Sequence, residues 1–489
     1  MKRSDCHMIF ALIVLSVGFL GWEDMTTFWL PHRNLRDSST MLSSLPYSQK
    51  EIMDTAKYFT RFSPRLLVFD GTHFQAFSIN HKDTPYSESM KRTYRYSALI
   101  PFLIRCLLDQ FPQRFQPGQP VFQLLFHDGD SPHSPCVNEY CPVDTFSPLL
   151  MFGSSPKNAS ALPTIQIFPN TYFMLCLIEF KVHGIHSCQW PHAVTSNSTS
   201  SSWESLIDTL VWRGSDYPFL EYYNEFHFDG PERLMEHFQN RWRELKKEEL
   251  LLELQTNLNS RFPPRWRAVL QSSMVENETK PWIDAKFVAG YHGNVYQKLA
   301  DKGIHMIGQR IESQEMSKYK YQVDFGGGGG TSWEGTLLKL SMPGVLFHHE
   351  TPTKDWFYDL MLPWKHYIPI DNDLNDMRKK WEYAQSTPKQ MRRISEESSE
   401  LAKFLLSETY MEKVYQDLFV QYLGKLVRGF IPNGLWSTAK ATYEENGYEL
   451  LSIASCDDLY CDISCEKDKN FTVSIFQFHY PPNSNTKQQ

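Results

Sequence analysis

Five successive glycines, Gly326 to Gly330, hold the chain's clearest promise of chemistry. They lie between a strand-like run, Tyr-Lys-Tyr-Gln-Val-Asp-Phe at 319–325, and a helix-like run at 331–341 that leads into a second apolar strand. A loop without Cβ atoms can approach a ligand closely. A helix starting behind it presents unpaired N–H groups and the positive end of its dipole to an anion. A nucleotide diphosphate is the natural occupant. Gly330, Ser332, Gly335 and Thr336 would supply backbone or hydroxyl donors, Lys339 charge, and Trp333 a ring for packing. The run Trp-Arg-Gly-Ser at 212–215 adds Arg213, Gly214 and Ser215 as phosphate contacts, because preorganised donors at a developing charge are usually the largest catalytic contribution. The bland alternatives are a tight-turning loop, and Trp212 with Arg213 as strand core plus a surface ion pair.

If the bound nucleotide carries a group for transfer to a hydroxyl, that hydroxyl needs a base, worth about 10²–10⁴-fold. Asp130 is the candidate. It follows the strand-like run Val-Phe-Gln-Leu-Leu-Phe at 121–126, and ligands of open α/β sheets bind beyond the carboxyl ends of strands. Asp128 is its rival, and both could equally be turn or helix-cap acids. Asp128-Gly-Asp130 can also be read as an Asp-x-Asp metal ligand pair of a metal-dependent glycosyltransferase, but that leaves the glycine loop and the Trp-Arg-Gly-Ser run without a role. His348-His349-Glu350 lacks the spacing to a further ligand and reads as structural. No metal site is expected.

Several motifs occur in order: Val-Trp-Arg-Gly-Ser at 211–215, Trp-Ile-Asp-Ala-Lys-Phe at 282–287, Tyr-Lys-Tyr at 319–321, Gly-Thr-Ser-Trp-Glu-Gly-Thr at 330–336 and Leu-Pro-Trp-Lys-His-Tyr-Ile-Pro at 362–369. Together they resemble glycosyltransferase family 90, which includes capsule-associated transferases, Rumi-type protein O-glucosyltransferases and xylosyltransferases, from about residue 65 to 430. The resemblance implies a GT-B fold, in which two Rossmann-like domains face a cleft. It also implies a UDP-sugar donor of glucose or xylose, inversion at the anomeric carbon, a protein or glycan acceptor, and neither catalytic metal nor cofactor. It points to Asp130 as well, since the family's base aspartate stands two residues before a proline, as Asp130 stands before Pro132. The sequence departs from the family in three places. Gly129 replaces a basic residue, Asp216 replaces an arginine after Gly-Ser, and no arginine lies between Asp324 and Asp376. Lys339, Lys320 or Arg265 must then supply charge, while Trp364, His366 and Tyr367 read as packing behind the donor site. These departures keep open a catalytically inactive, carbohydrate-binding relative. A secretory kinase, suggested by Asp-Phe-Gly at 324–326, lacks the His-Arg-Asp and Val-Ala-x-Lys motifs it would need upstream.

The elements that must position these residues alternate between short apolar runs and helical periods, so an α/β fold is expected. Strands are predicted at 65–69, 121–126, 165–168 and 173–178, helices at about 94–110 and 231–258, and a helical section from 374 to 426. The strand–helix alternation in the N-terminal part suggests a parallel sheet. The expected domains are 1–24 as signal anchor or signal peptide, 25–200 as a Rossmann-like acceptor-side domain, 201–431 as the nucleotide-sugar domain, and 432–489 as a cysteine-containing tail. The 489 residues, 41% apolar and 14% aromatic, can bury two cores, which excludes a disordered chain. A net charge of −7 with lysines and arginines scattered among acids excludes a nucleic-acid partner.

Lys2 and Arg3 before an apolar run from Met8 to Trp22, closed by Glu23 and Asp24, place the remainder in the secretory lumen, Golgi more than endoplasmic reticulum. The membrane is a partner if that segment is retained. Of 9 cysteines Cys6 precedes the run, and the other eight suggest disulfides, Cys136–Cys141 and Cys176–Cys188 being plausible local pairs. Sequons begin at Asn158, Asn197, Asn277 and Asn470.

Overall fold

The computed structural model describes residues 46–58, 64–82, 96–127, 147–152, 155–156, 165–183, 202–217, 219–220, 241, 244–256, 262–290, 293–332 and 334–454. All of them lie in one compact unit. The N-terminal apolar run, Asp128, Asp130, Trp333 and seven of the nine cysteines, all but Cys106 and Cys176, lie outside the described residues.

Two sheets carry the fold. The first has six strands: β1 (Arg65–Phe69), β2 (Phe74–His81), β3 (Phe122–His127), β4 (Leu149–Phe152), β6 (Ile165–Phe168) and β13 (Tyr448–Ala454), in the order β13-β2-β1-β3-β4-β6. β1 and β3 are buried along their whole length, as largely apolar strands are when both faces of a sheet are covered; Arg65, Gln123 and His127 are the buried polar exceptions. The expected parallel sheet is mixed. β3, β4 and β6 run parallel, but β1 is antiparallel to both β2 and β3, and β13 is antiparallel to β2. The physical reason is the four-residue connection from Phe69 to Phe74, too short for a crossover and long enough for a hairpin.

The second sheet is wholly parallel. It comprises β7 (Ile207–Ser215), β8 (Ile283–Ala289), β9 (Tyr319–Asp324), β10 (Val345–His349) and β12 (Ile368–Ile370), in the order β12-β10-β9-β7-β8. Its core includes Trp212, Trp266, Phe287, Tyr321, Val323 and Phe347. Two short strands, β5 (Ser155–Pro156) and β11 (Thr353–Lys354), pair antiparallel and tie the chain after β4 to the chain after β10.

Helices cover the sheets: α1 (Gln49–Tyr58), α2 (Tyr96–Gln110), α3 (Thr171–His183), α4 (Lys247–Thr256), α5 (Pro264–Val275), α6 (Gly293–Asp301), α7 (Glu334–Leu340), α8 (Met377–Ser386), α9 (Pro388–Leu405), α10 (Glu408–Val414), a π-helical turn (Tyr415–Tyr422), α11 (Leu423–Gly429) and α12 (Trp436–Glu445). The predicted helical section from 374 to 426 spans both halves. Ser395 and Ser398 in α9 donate to Pro343 O and Leu340 O beside the second sheet, while Phe419 packs on Phe102 and Phe168 beside the first.

Residues 173–178 form α3 rather than the expected strand. A short apolar run buried all round does not distinguish the two, and here Asn170 Oδ1 accepts from Phe173 N at 3.1 Å and caps a helix. The predicted long helix at 231–258 is described only as α4. The segment after 432 also departs from expectation: α12 and β13 complete the first sheet, Tyr443 Oη donating to Gln123 Oε1 at 2.6 Å and β13 covering β2. Cys106, counted among the disulfide candidates, is a buried free thiol pushed up to about 12 by burial, whereas Cys176 is disulfide-bonded. Asn277 is exposed in the turn after α5, as an acceptor asparagine must be. Among the described residues no helix is long and apolar enough to cross a membrane, and no group of side chains could hold a metal ion.

Candidate active site

The parallel register brings the carboxyl ends of β7, β9 and β10 together, at Ser215, Asp324 and His349. A carboxylate at the buried end of a strand is the first thing to explain. Asp324 is 1% exposed and collects Thr336 Oγ1 at 2.6 Å, Ser332 Oγ at 3.2 Å, His349 N at 3.2 Å and His348 Nδ1 at 2.9 Å. Burial alone would raise its pKa. His348, Lys339 and the Thr336 hydrogen bond outweigh it and hold the carboxyl below its ordinary range. An ionised Asp324 only accepts, so Nδ1 of His348 carries the proton. Tyr358 Oη and Ser332 Oγ lie 2.9 and 2.8 Å from Thr336 Oγ1, and the His348 ring stands edge-on to Tyr358 and Tyr367, each at 4.9 Å.

The expected strand–loop–helix arrangement is present: β9, the glycines and α7 follow one another. Much of the loop's polarity is directed inward. Gly326 N donates to His349 Nδ1, Gly327 N to Thr331 O and Gly330 N to Gly327 O, while the carbonyls of Gly329 and Gly330 accept from Thr353 and Thr351. His349, bridging Gly326 and Asn372 O, is driven down to about 4 by burial and so is a neutral structural group at neutral pH. Two glycines are needed on steric grounds. A Cβ on Gly326 would overlap the Gly330 carbonyl, and Gly330 has a φ of +81°. Gly328, Ser332 and Gly335 keep partial exposure. The helix α7 is only 7 residues long, so its dipole is small, and the loop rather than the helix defines the site.

Arg265, at the start of α5, is the cation the geometry brings to the loop. Its two terminal nitrogens donate to Ser215 O and Phe325 O, each at 3.0 Å, its guanidinium lies 5.5 Å from the Trp212 ring, and a Cβ on Gly327 would sit 3.0 Å from it. Lys339 points its ammonium back to Gly335 O at 3.3 Å, in the field of Asp324. Lys320 is paired with Asp208 near the opposite end of β9. Arg213 is turned toward β8: it donates to Gln309 O, Trp212 O, Asp284 O and Asp284 Oδ2, the last at 2.9 Å. The Trp-Arg-Gly-Ser run therefore meets the loop through Trp212 and Ser215, with Gly214 small because a Cβ there would strike the Trp212 ring. Asp216, in place of the family's arginine, is buried and accepts from Tyr296 Oη. Asp130 and Trp333 lie outside the described residues, β3 ending at His127.

Beside this network is a pocket of about 170 Å³ at the end of β10. His348 and Glu350 form one wall, Tyr358 and Tyr367 flank it, and Lys354, paired with Asp359 at 2.6 Å, stands at its rim. Tyr367 Oη donates to Glu350 Oε1 at 2.7 Å, and burial together with that carboxylate raises the phenol's pKa. His366, expected to pack behind the site, accepts from Leu362 N at 3.0 Å, and Trp364 meets Tyr383 edge-on. Sequence reasoning missed Asp324, Glu350 and Tyr358 as partners. The legible signal was Asp324 itself, an acid closing a strand two residues before the first glycine.

Residues 265–430, about a third of the chain, match the model of Glycosyl transferase family 90. The segment that builds the glycine loop, the Asp324 network and the pocket is thus similar to that class of transferase. The match opens at Arg265 and includes neither Asp130 nor 211–215, so it covers the C-terminal part of the resemblance read from the sequence. Rat Protein O-glucosyltransferase 3 is 28% identical over 116 residues, covering 22% of this chain and 21% of its own length. Zebrafish (Danio rerio) Protein O-glucosyltransferase 2 is 28% identical over 111 residues, covering 22% and 21%. The chain spans about a fifth of the length of these curated relatives. Among solved structures, Anabaena HepE in complex with UDP-glucose covers 57% of this chain and 64% of its own, at 8% identity and a TM-score of 0.29, too low to carry an argument about the fold.

Proposed function

We propose that this chain is an inverting, metal-independent glycosyltransferase that moves glucose or xylose from a UDP-sugar to a hydroxyl of a protein or glycan acceptor in the secretory pathway, the Golgi before the endoplasmic reticulum. The observation that carries the reading is the coincidence of the family-90 match with the ends of a parallel sheet, where Arg265 stands against the glycine loop. In the single displacement, Asp130 takes the acceptor proton as the acceptor oxygen bonds to the anomeric carbon and the bond to UDP breaks. Arg265, Ser332 and the loop face the charge that develops on the departing diphosphate, with Lys339 contributing its field. The GT-B arrangement of two Rossmann-like domains is part of the same proposal.

The test is turnover of UDP-glucose and UDP-xylose by the purified protein, with and without EDTA, using acceptors recovered from the native cell. Hydrolysis or transfer that survives chelation is expected. Activity abolished by EDTA and restored by Mn²⁺ would overturn metal independence in favour of the Asp-x-Asp reading. UDP binding without turnover of any nucleotide sugar would mark a carbohydrate-binding relative that has lost catalysis.

A further inference from the structure

We infer that the loop 431–435, with Trp436 behind it, is a lipid-docking face that seats the compact unit on the membrane from which its chain emerges. The inference goes beyond the proposed transfer, and it rests on the N-terminal apolar run being retained as a membrane segment rather than on the transferase reading. Exposure comes first. Residues 431–435, Ile-Pro-Asn-Gly-Leu, are all exposed. Leu435, at 73%, is the most exposed of the large apolar side chains among the described residues, and Ile431 stands at 51%. Burying one such side chain is worth about 1.5–3 kcal/mol, so two of them on one short loop forgo stability unless something covers them. The loop is fixed at both ends. Ile431 N donates to Tyr47 O at 2.8 Å, Tyr47 N to Gly429 O at 3.0 Å and Ala439 N to Leu435 O at 2.9 Å, while Trp436 packs on Phe77 with ring centroids 5.6 Å apart.

Charge decides what the cover is. From Gly429 to Ala439 the chain carries no charged residue, and the exposed Arg428 and Lys440 bracket that stretch. The next acids, Glu444 and Glu445, lie at the far end of α12. An apolar tip between two cations matches the boundary of a bilayer, where acyl chains lie beneath headgroup phosphates and an amphipathic segment sinks about 5–10 Å. Position is the third observation. The Tyr47 that pairs with 429–431 is the second described residue, and 24 residues, 23–46, separate it from the end of the apolar run at Trp22. A coil of that length spans about 25–30 Å between its ends. The loop therefore lies where the chain enters the compact unit from the bilayer.

The test uses the full-length protein reconstituted into phosphatidylcholine vesicles, with an environment-sensitive fluorescent residue in place of Leu435 or, as the control, of Leu252, which is 59% exposed on α4. Thermal melts check that both labelled proteins fold. Lipids brominated along the acyl chain should quench the probe at 435 by at least about half and the probe at 252 by less than about a tenth, because the bromines reach only a group that enters the acyl boundary. Ile431→Ser, in the protein labelled at 435, should lower that quenching at least about twofold while the protein stays with the vesicles. Equal quenching at the two positions, or none at 435, would overturn the docking face and leave both the membrane segment and the transferase reading intact. A probe at 435 shielded from water yet indifferent to brominated lipid would overturn it too, by showing that another part of the chain or a second copy covers the loop. A protein that does not remain with the vesicles would overturn the retained segment and the docking face together.

Discussion

A proton acceptor and a cation are the two residue types that the proposed transfer cannot do without, and each can be isolated by a conservative change. Asp130→Asn nearly preserves shape but abolishes proton acceptance, so turnover should fall by at least about 10²-fold while UDP affinity and the thermal melt stay unchanged. Asp128→Asn should do much less; equal modest losses from both would indicate a shared metal-binding or structural role. For the cation, Arg265→Gln should weaken UDP about tenfold, because its guanidinium stands at Ser215 O and Phe325 O beside the loop. Arg213→Gln makes the contrasting variant. Its partner is the Asp284 carboxylate, so it should lower the unfolding midpoint and leave UDP affinity within about twofold. A reversed pattern in the same titration would return the phosphate contact to Arg213.

The glycine loop is the element on which the site is built, and its glycines act through sterics. Gly330 sits at φ +81°, and a Cβ there would overlap Thr353 Oγ1 and lie 2.7 Å from Leu220 Cδ2. Gly330→Ala should therefore destabilise the protein by about 1–3 kcal/mol, read as a lower denaturant midpoint with unchanged slope. Gly328 is the loop's partly exposed glycine, and its positive-φ requirement is absent from the backbone angles that mark Gly330. Gly328→Ala should be near neutral in stability, so a large loss there would mean that the loop's packing is different.

At the scale of the molecule, the halves are joined by the strap after β10. β11 pairs with β5, Asn170 Nδ2 donates to Asp355 Oδ2 at 2.7 Å, and Phe173 packs on Trp356 at 4.4 Å. Burial pushes Asp355 up to about 7, against hydrogen bonds from Asn170 and Trp356 N that favour the ionised form. A carboxyl whose folded pKa exceeds its unfolded one binds more protons when folded. Its contribution to stability is thus complete below about pH 4 and is lost as pH rises to about 7. His349 and His366, both depressed to about 4 by burial, act oppositely: their contribution is complete above about 6.5 and is lost as pH falls toward 4. Wild-type stability between pH 4 and 7 is the sum of opposing slopes, and Asp355→Asn should leave the histidine slope alone, so that the variant gains on the wild type as pH rises. Parallel pH profiles, measured by urea unfolding, would show that Asp355 does not titrate in this window.

What the sequence determined by itself was local. Apolar runs at 66–69 and 345–347 read as strands because burial on both faces leaves little room for polar alternation, and the strand, glycine loop and helix at 319–340 follow from composition and spacing. The family resemblance was legible in the same way, through motifs in order along the chain, whereas Asp130 is a reading of the sequence alone, outside the described residues. Tertiary structure decided what depends on which strands become neighbours. It alone turned Arg213 to Asp284 and brought Arg265, fifty residues after Ser215, to the loop; it also brought His348 and Asp324, twenty-four apart, within hydrogen-bond distance. It made 173–178 a helix through the Asn170 cap and drew 448–454 back to β2, because a strand edge left open by the first sheet is satisfied by whichever segment can reach it, and chain order does not constrain which one does.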